Sequence, residues 1–461
     1  MNIDLIIKNG TVVSNEGVIE TDITINEEKI IAIGSSEVYP NAKKIIDAKD
    51  MFVFPGGIDP HCHFEISFMG AKVEEAWDEG SIASAIGGTT TTIDFAQQEK
   101  GETLLSAVKK QFSRAEKLSV IDYTTTPILT DFTDIGKTLA GIKEVIDYGI
   151  PSFKGATIYR KVGWYEDDWQ LYQVFRHIKK CGGLIMIHAE NGLIGEGMQD
   201  ELVHQGKTDP KYHGIAKPSF VENMAIINCM ILAEELQANV YICHCSTKES
   251  PNIINEYKKK GLSVYCETCP HYLVFTDEKY EPKFPNGIMY MASPPLRKNE
   301  DIEALWEGIK NGKVDTVGSD HDAFTKKQKE EKCDSFEKIP NGFPGCEVRL
   351  GILFSEGVLK RGLSLKRFAE VTATNAAKIF GIYPKKGIIA PGSDADIVII
   401  DPTKKHSLNA KDLHMKTDLS IYEGMEVTGW PIMTILRGKV IVENEKFVGK
   451  IGQGEFVKGK L

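Results

Sequence analysis

Between residues 55 and 335 the chain alternates short β-rich runs with amphipathic helical stretches, and this alternation narrows the possible folds more than any other feature. The runs are "GGIDPHCH", "TTTTIDF", "VIDYTTTPI", "IPSFKGA", "GLIMIHAE", "NVYICHCS", "LSVYCETC" and "VDTVGSDH", eight in all. Between them the apolar spacing is helical, as in "GETLLSAVKKQFSRAEK" and "EDIEALWEGIKNGK". Ser219 with Glu222, ahead of Ile226, Ile227 and Met230, reads as a capping box. Eight strands alternating with helices over about 280 residues predict a (β/α)8 TIM-like barrel rather than an open doubly wound sheet. No GxGxxG follows a strand, so dinucleotide binding loses its main signal.

The ends have another texture. Residues 1–54 offer "DLIIKNGTVV", "DITINEEKIIAIG" and "KKIIDAKDMFVF", strand-like runs broken by Asn-Gly and Glu-Glu turns. Past residue 388, "GSDADIVIID" and "MEVTGWPIMTILRGKVIVENEKFVG" resume the same style. A chain of 461 residues exceeds what one core usually holds. The expectation is therefore a barrel over 55–388 and a small β-sandwich domain built from both termini, 1–54 and 389–461.

Active sites of such barrels form at the C-terminal ends of the strands. The first run ends in His61 and His63, which in an extended strand share a face with Asp59 while Pro60 and Cys62 turn away. Lys154 lies in the fourth run, His188 ends the fifth, His244 the sixth and Asp320 the eighth. Each alone has an ordinary explanation, as a surface or packed polar residue. Together, at one end of one barrel, four imidazoles and a carboxylate suit a divalent metal such as zinc. An ammonium would repel that ion. Burial and neighbouring cations favour a neutral amine, and a neutral lysine amine can capture carbon dioxide to become a carbamate able to bridge two metals.

With these residues in place, the chain resembles the amidohydrolase superfamily and, within it, the dihydropyrimidinase and D-hydantoinase family. The resemblance covers nearly the whole chain, through "GGIDPHCH", Lys154 followed by Tyr159, "HAENG", "CHCS", "CPHYL", "SPPLR", "GSDH" and "NGFPG". It implies two divalent ions, usually zinc, with His61 and His63 on one and His188 and His244 on the other. It further implies N6-carboxylated Lys154 between them and Asp320 completing the ligand set of the first ion. Tyr159 would serve the oxyanion, and Ser293 and Asn341 would hold the cyclic amide through main-chain groups. The implied activity is reversible ring opening of 5,6-dihydropyrimidines or hydantoins to N-carbamoyl amino acids, with Asp320 as proton carrier. The implied assembly is a homotetramer.

Neighbouring families stay open as alternatives. Dihydroorotases usually place an arginine, and allantoinases an asparagine, where this chain has Glu65, which is expected to repel a substrate carboxylate. Gly163 and Trp164 in "YRKVGWYEDD", and Asp322-Ala323 in "GSDHDAF", depart from the family pattern and bear on substrate size and polarity. Some relatives on this fold are non-catalytic assembly proteins, but all six ligand positions are filled here. The formal charge of −10 supplies no basic field for nucleic acid or an anionic membrane. No membrane-length apolar run or leader pattern is found, and nine cysteines, several inside apolar runs, fit a reducing cytoplasm. Cys266 and Cys269 form a lone CxxC, which reads as packed thiols.

Overall fold

The computed structural model describes residues 3–14, 17–39, 41–332 and 334–461, so that Cys333 lies outside the described residues. Eight strands pair in chain order: Gly57–Cys62, Thr89–Gln97, Asp122–Ile128, Ser152–Ala156, Leu184–His188, Asn239–Ile242, Val264–Thr268 and Thr316–Val317. Each pairing is parallel. A parallel bridge from Cys62 to His321 brings the chain beyond the last strand against the first and closes the ring. All eight strands coincide with the runs read from the sequence.

These runs make strands because they are rich in β-branched residues and are buried on both faces. Leu184 and Met186 pack inside the barrel with Ile58, Ile93, Ile128 and Tyr241. Ile185 and Ile187 point the other way, into the layer shared with Val174, Phe175 and Ile178 of the helix Asp168–Cys181. The two-residue period then fixes the site. His188 follows Leu184 and Met186 inward, and Lys154, level with Met186 on the next strand, points inward too.

Local signals stop and start the outer helices. Thr103, Asp134 and Asp167 accept hydrogen bonds from the N–H groups of Ser106, Lys137 and Gln170 at three N-termini. The expected box at Ser219 does not form: Pro218 is the N-cap and Ser219 is already helical. Glu222 is instead buried, accepting from Ser246 N at 2.9 Å and Ser250 Oγ at 2.8 Å and pairing with Arg297 at 3.2 Å. With the Ser246 hydroxyl, four donors from other segments outcompete one local N–H for the same carboxylate.

Both termini contribute to a second, nine-stranded sheet. The seam is Phe52–Pro55, which runs antiparallel to Ile397–Leu408 and parallel to Ile3–Ser14. The sheet folds over, so that Ile23, Ile25 and Ile30 share a core with Ile397, Ile399 and Ile435. This is the expected sandwich. The last residues return to the barrel, where Gly454 N and Val457 N donate to Ser119 O and Tyr123 O at 2.9 and 2.8 Å.

A buried ionic cluster joins the two units. Lys386, fully buried, donates to Asp122 at the start of the third barrel strand and lies 2.9 Å from Asp394 and 2.6 Å from Asp396. Arg437 also pairs with Asp122, and its N–H donates to Asp396 at 2.8 Å. The three carboxylates meet closely enough for a metal, but the Lys386 ammonium already occupies their centre. Burial opposes the charge on Lys386, yet the surrounding carboxylates win and raise its pKa. Lys386→Met leaves the buried Asp396 without its side-chain cation and removes the shared one from Asp122 and Asp394, and is expected to cost about 3–5 kcal/mol. Denaturant unfolding of the variant, with a midpoint equal to that of the parent, would contradict this role for the cluster.

Candidate active site

The inward-facing strand ends build one cavity. His61, His63, Lys154, Tyr159, His188, His244, Ser293, Asp320 and Asn341, all nine residues expected from the sequence, line it. Ile66, Phe68, Ile128 and Trp164 supply its apolar wall. His61 Nε2 lies 3.0 Å from Asp320 Oδ1, and His63 Nε2 lies 3.5 Å from the same oxygen. The His61 ring centroid is 5.1 Å from that of His63 and 5.3 Å from that of His244, which in turn is 4.4 Å from that of His188. Lys154 Nζ stands over the Phe95 ring and donates to Cys243 Sγ at 3.0 Å.

The backbone works to hold this arrangement. Tyr159, His244 and Asp320 adopt φ of 72°, 35° and 50°, a region that non-glycine residues rarely visit. Such strain is tolerated where surrounding bonds over-determine the conformation. For Asp320 the bond is N–H to His61 O at 2.8 Å, part of the closure between the last strand and the first.

One expected alignment does not hold. Asp59 leaves the row of His61 and His63: its Oδ1 accepts from Ser319 N at 3.0 Å, and its Oδ2 lies 3.8 Å from Arg349 Nε. The pairing of this strand with Thr89–Gln97 shifts register between Asp59 and Cys62, which breaks the simple alternation. Cys62 does turn away, against Thr92 Oγ1 at 2.6 Å. Glu65 is a second correction. It lies outside the cavity, paired with Arg114 in a neighbouring surface pocket, so it neither repels nor attracts a substrate there.

Buried acids that were not singled out in the sequence orient the histidines. Glu267 Oε2 accepts from His61 Nδ1 at 2.8 Å and from His244 N at 2.9 Å. Glu190 Oε2 lies 2.7 Å from His188 Nε2 and accepts from Ser293 Oγ at 2.9 Å, while Lys217, 3.7 Å away, donates to Ser293 Oγ. With Nε2 engaged, His188 turns Nδ1 into the cavity, 3.5 Å from the Tyr159 hydroxyl. The available signal was a glutamate inside an otherwise buried strand, "YCET", and another in "HAE".

The residues present fit a divalent ion. His61, His63 and Asp320 offer donor atoms within 4.8 Å of one another. The buried Nδ1 atoms of His63 and His244 have no hydrogen-bond partner. Burial lowers the pKa of His63 to about 4 and that of His244 well below its ordinary value, leaving both as neutral imidazoles. Burial opposes the charge on Asp320, but His61 and His63 beside it hold the carboxyl well below the usual range. The neutral imidazoles of His63 and His244 and the ionised Asp320 carboxylate are what zinc and similar ions take. At His61 burial is overcome by the Glu267 and Asp320 carboxylates, which raise its pKa well above the ordinary value. Burial also pushes the Tyr159 phenol well above its usual value, so its hydroxyl keeps its proton and can donate.

The comparisons agree with this geometry. The family model described as "Amidohydrolase family" matches residues 52–441. The chain is similar to the D-hydantoinase of Geobacillus stearothermophilus, 42% identical over 98% of this chain and 96% of the relative. It is also similar to the dihydropyrimidinase of Rattus norvegicus, 35% identical over 98% of this chain and 88% of the relative. The crystal structure of dihydropyrimidinase from Brevibacillus agri NCHU1002 superposes with a TM-score of 0.95 at 39% identity, over 99% of this chain and 98% of the other. Likeness of this extent, over the whole barrel and both termini, leaves one conclusion: the chain belongs to the amidohydrolase family, in its D-hydantoinase and dihydropyrimidinase branch.

Proposed function

We propose that this protein hydrolytically opens cyclic amides, 5,6-dihydropyrimidines or hydantoins, to N-carbamoyl amino acids at a binuclear metal centre. The observation that carries the reading is the convergence of all nine expected residues on a single cavity. The names of the relatives, D-hydantoinase and dihydropyrimidinase, point to the same class of ring. In domain terms, residues 55–388 are the hydrolase barrel, and 1–54 with 389–461 the β-sandwich.

His61, His63 and Asp320 would hold one ion, His188 and His244 the other, and carboxylated Lys154 would stand between them. Zinc suits this donor set best. Bound there, two divalent ions supply Lewis acidity and lower the pKa of a water molecule toward neutrality. Lys154 is buried and faces the cavity beside His61, His188 and His244, the position a carbamate would need to stand between the two ions.

The chain's own groups do the rest. Asp320 takes a proton from the attacking water and delivers it to the leaving ring nitrogen as the C–N bond breaks. The water oxygen stays on the carbonyl carbon as a carboxylate. The Tyr159 hydroxyl donates to the oxygen that becomes negative in the transition state, a contribution of about 3–4 kcal/mol in comparable sites. Among the described residues, Ser293 and Asn341 spend neither main-chain N–H nor C=O on backbone hydrogen bonds, which suits the alternating donors and acceptors of a cyclic diamide edge.

Lys154→Ala is expected to abolish turnover and metal loading, with partial recovery on adding a short-chain carboxylic acid. Full activity in that variant, measured beside its metal content, would refute the bridging role. Among the described residues no arginine, and no lysine besides Lys154, lines the cavity. A substrate carboxylate therefore lacks a partner, and hydantoin or dihydrouracil turnover should exceed dihydroorotate turnover by at least ~100-fold. Comparable rates would move the assignment to a dihydroorotase-like substrate.

For the assembly we propose a homotetramer. Along the helix Ser219–Leu236, Phe220, Met224, Ile227 and Ile231 are exposed at spacings of four and three, an apolar stripe fit for another subunit. A cytoplasmic location is supported by the eight unpaired cysteines among the described residues. Light scattering at micromolar concentration should give the tetramer mass for the parent chain and a smaller species for Ile227→Asp. A monomer in both would overturn the assembly.

A further inference from the structure

Asp322 lines the substrate cavity, yet the chemistry above makes no use of it. Its backbone is pinned, with N–H donating to Phe343 O at 3.0 Å and C=O accepting from Phe324 N at 2.8 Å. Its carboxyl group makes no hydrogen bond to any described residue and is not sealed from the cavity, and burial with the nearby Asp320 pushes its pKa well above the usual range. The space it occupies exists only because residue 342 is glycine, at φ 115°: a Cβ there would lie 2.4 Å from Asp322 Oδ2. The nearby cation Lys329 is directed elsewhere, its ammonium donating to Pro340 O at 2.9 Å and Met291 O at 3.4 Å. Asn341 Oδ1, buried and unpartnered, adds a second acceptor to the cavity lining.

The rest of the outer wall is aromatic. Phe68 meets Tyr159 at 5.0 Å and Trp164 at 5.2 Å between ring centroids. An aromatic face beside free acceptor oxygens complements a group that carries N–H donors, cationic or neutral. It does not suit a bare alkyl group, which leaves the acceptor unpaired.

From this we infer that Asp322 is a specificity-determining residue that accepts a hydrogen bond from the ring substituent of the substrate. The enzyme then favours cyclic diamides whose substituent ends in an ammonium or carbamoylamino group over alkyl counterparts. The inference rests on the ring-opening reading and narrows its substrate class.

The test uses the metal-loaded full chain and matched hydantoins that differ only in their terminal group: methyl, ammonium or carbamoylamino. The parent should show kcat/KM at least about tenfold higher for the two donor-bearing rings than for the methyl ring, the size expected of one hydrogen bond to an otherwise unpaired buried acceptor. In Asp322→Leu that ratio should collapse toward one, chiefly through KM, and Gly342→Ala, which displaces the same carboxylate, should move it the same way. A ratio unchanged in both variants, each confirmed folded by its thermal transition, overturns the inference. If the parent opens no cyclic amide at all, the ring-opening reading fails instead. Calorimetric binding of the same panel then decides the role of Asp322 alone, equal affinity for methyl and ammonium rings counting against it.

Discussion

Closure of the parallel barrel is the constraint on which the remainder depends. An eight-stranded parallel sheet could have stayed open, with His61 at one edge and Asp320 at the other. The bridge from Cys62 to His321, the hydrogen bond from Asp320 N to His61 O, and that from His63 N to His321 O bring those edges together. Only then do an imidazole and a carboxylate drawn from opposite edges of the sheet lie 3.0 Å apart. Closure also asks for an unusual backbone at Asp320, with positive φ, and the same bonds that close the ring hold that conformation.

Around this ring the protein places acids under histidines. Glu267 reaches both His61 and the N–H of His244, so one carboxylate positions residues from two strands. Glu190 does the same for His188 and Ser293, and Lys217 balances its charge. Such support fixes which ring nitrogen faces the cavity and raises the basicity of the imidazole. The terminal sandwich contributes no residue to the cavity lining among those described. Its connection is mechanical, through the Lys386 cluster and the Phe52–Pro55 strand that leads directly into the first barrel strand.

Much of this was legible in the chain itself. Strand runs of β-branched residues, buried on both faces, mark themselves regardless of context, and all eight emerged in place. Because side chains alternate along a strand, Lys154 and His188 could be assigned inward from their own neighbours. Legibility ended where a residue's direction depends on its partner strand. Asp59 was expected beside His61 and His63, but a register shift against Thr89–Gln97 turns it toward Arg349. Glu65 was expected to face the substrate, and left-handed backbone at φ 60° directs it to Arg114 instead. Ser219 and Glu222 fit a local capping rule that buried donors on other segments overrode.

The sequence by itself determined the (β/α)8 architecture, the terminal sheet and the strand-borne candidates His61, His63, Lys154, His188, His244 and Asp320, because these follow from short-range periodicity and from the end of the strand that carries them. Tyr159, Ser293 and Asn341, by contrast, were expected only from the family resemblance. Tertiary structure alone decided which acids support the histidines and that Glu65 is outside the site, and it set Asp322, already marked in the sequence as bearing on substrate polarity, in the cavity wall. Those outcomes arise from pairings between segments far apart in the chain: Glu267 with His61, 206 residues away, and Gly342 making room for Asp322. A local pattern can say that a carboxylate is present. Where its charge points is settled by the donors and empty space that folding brings to it.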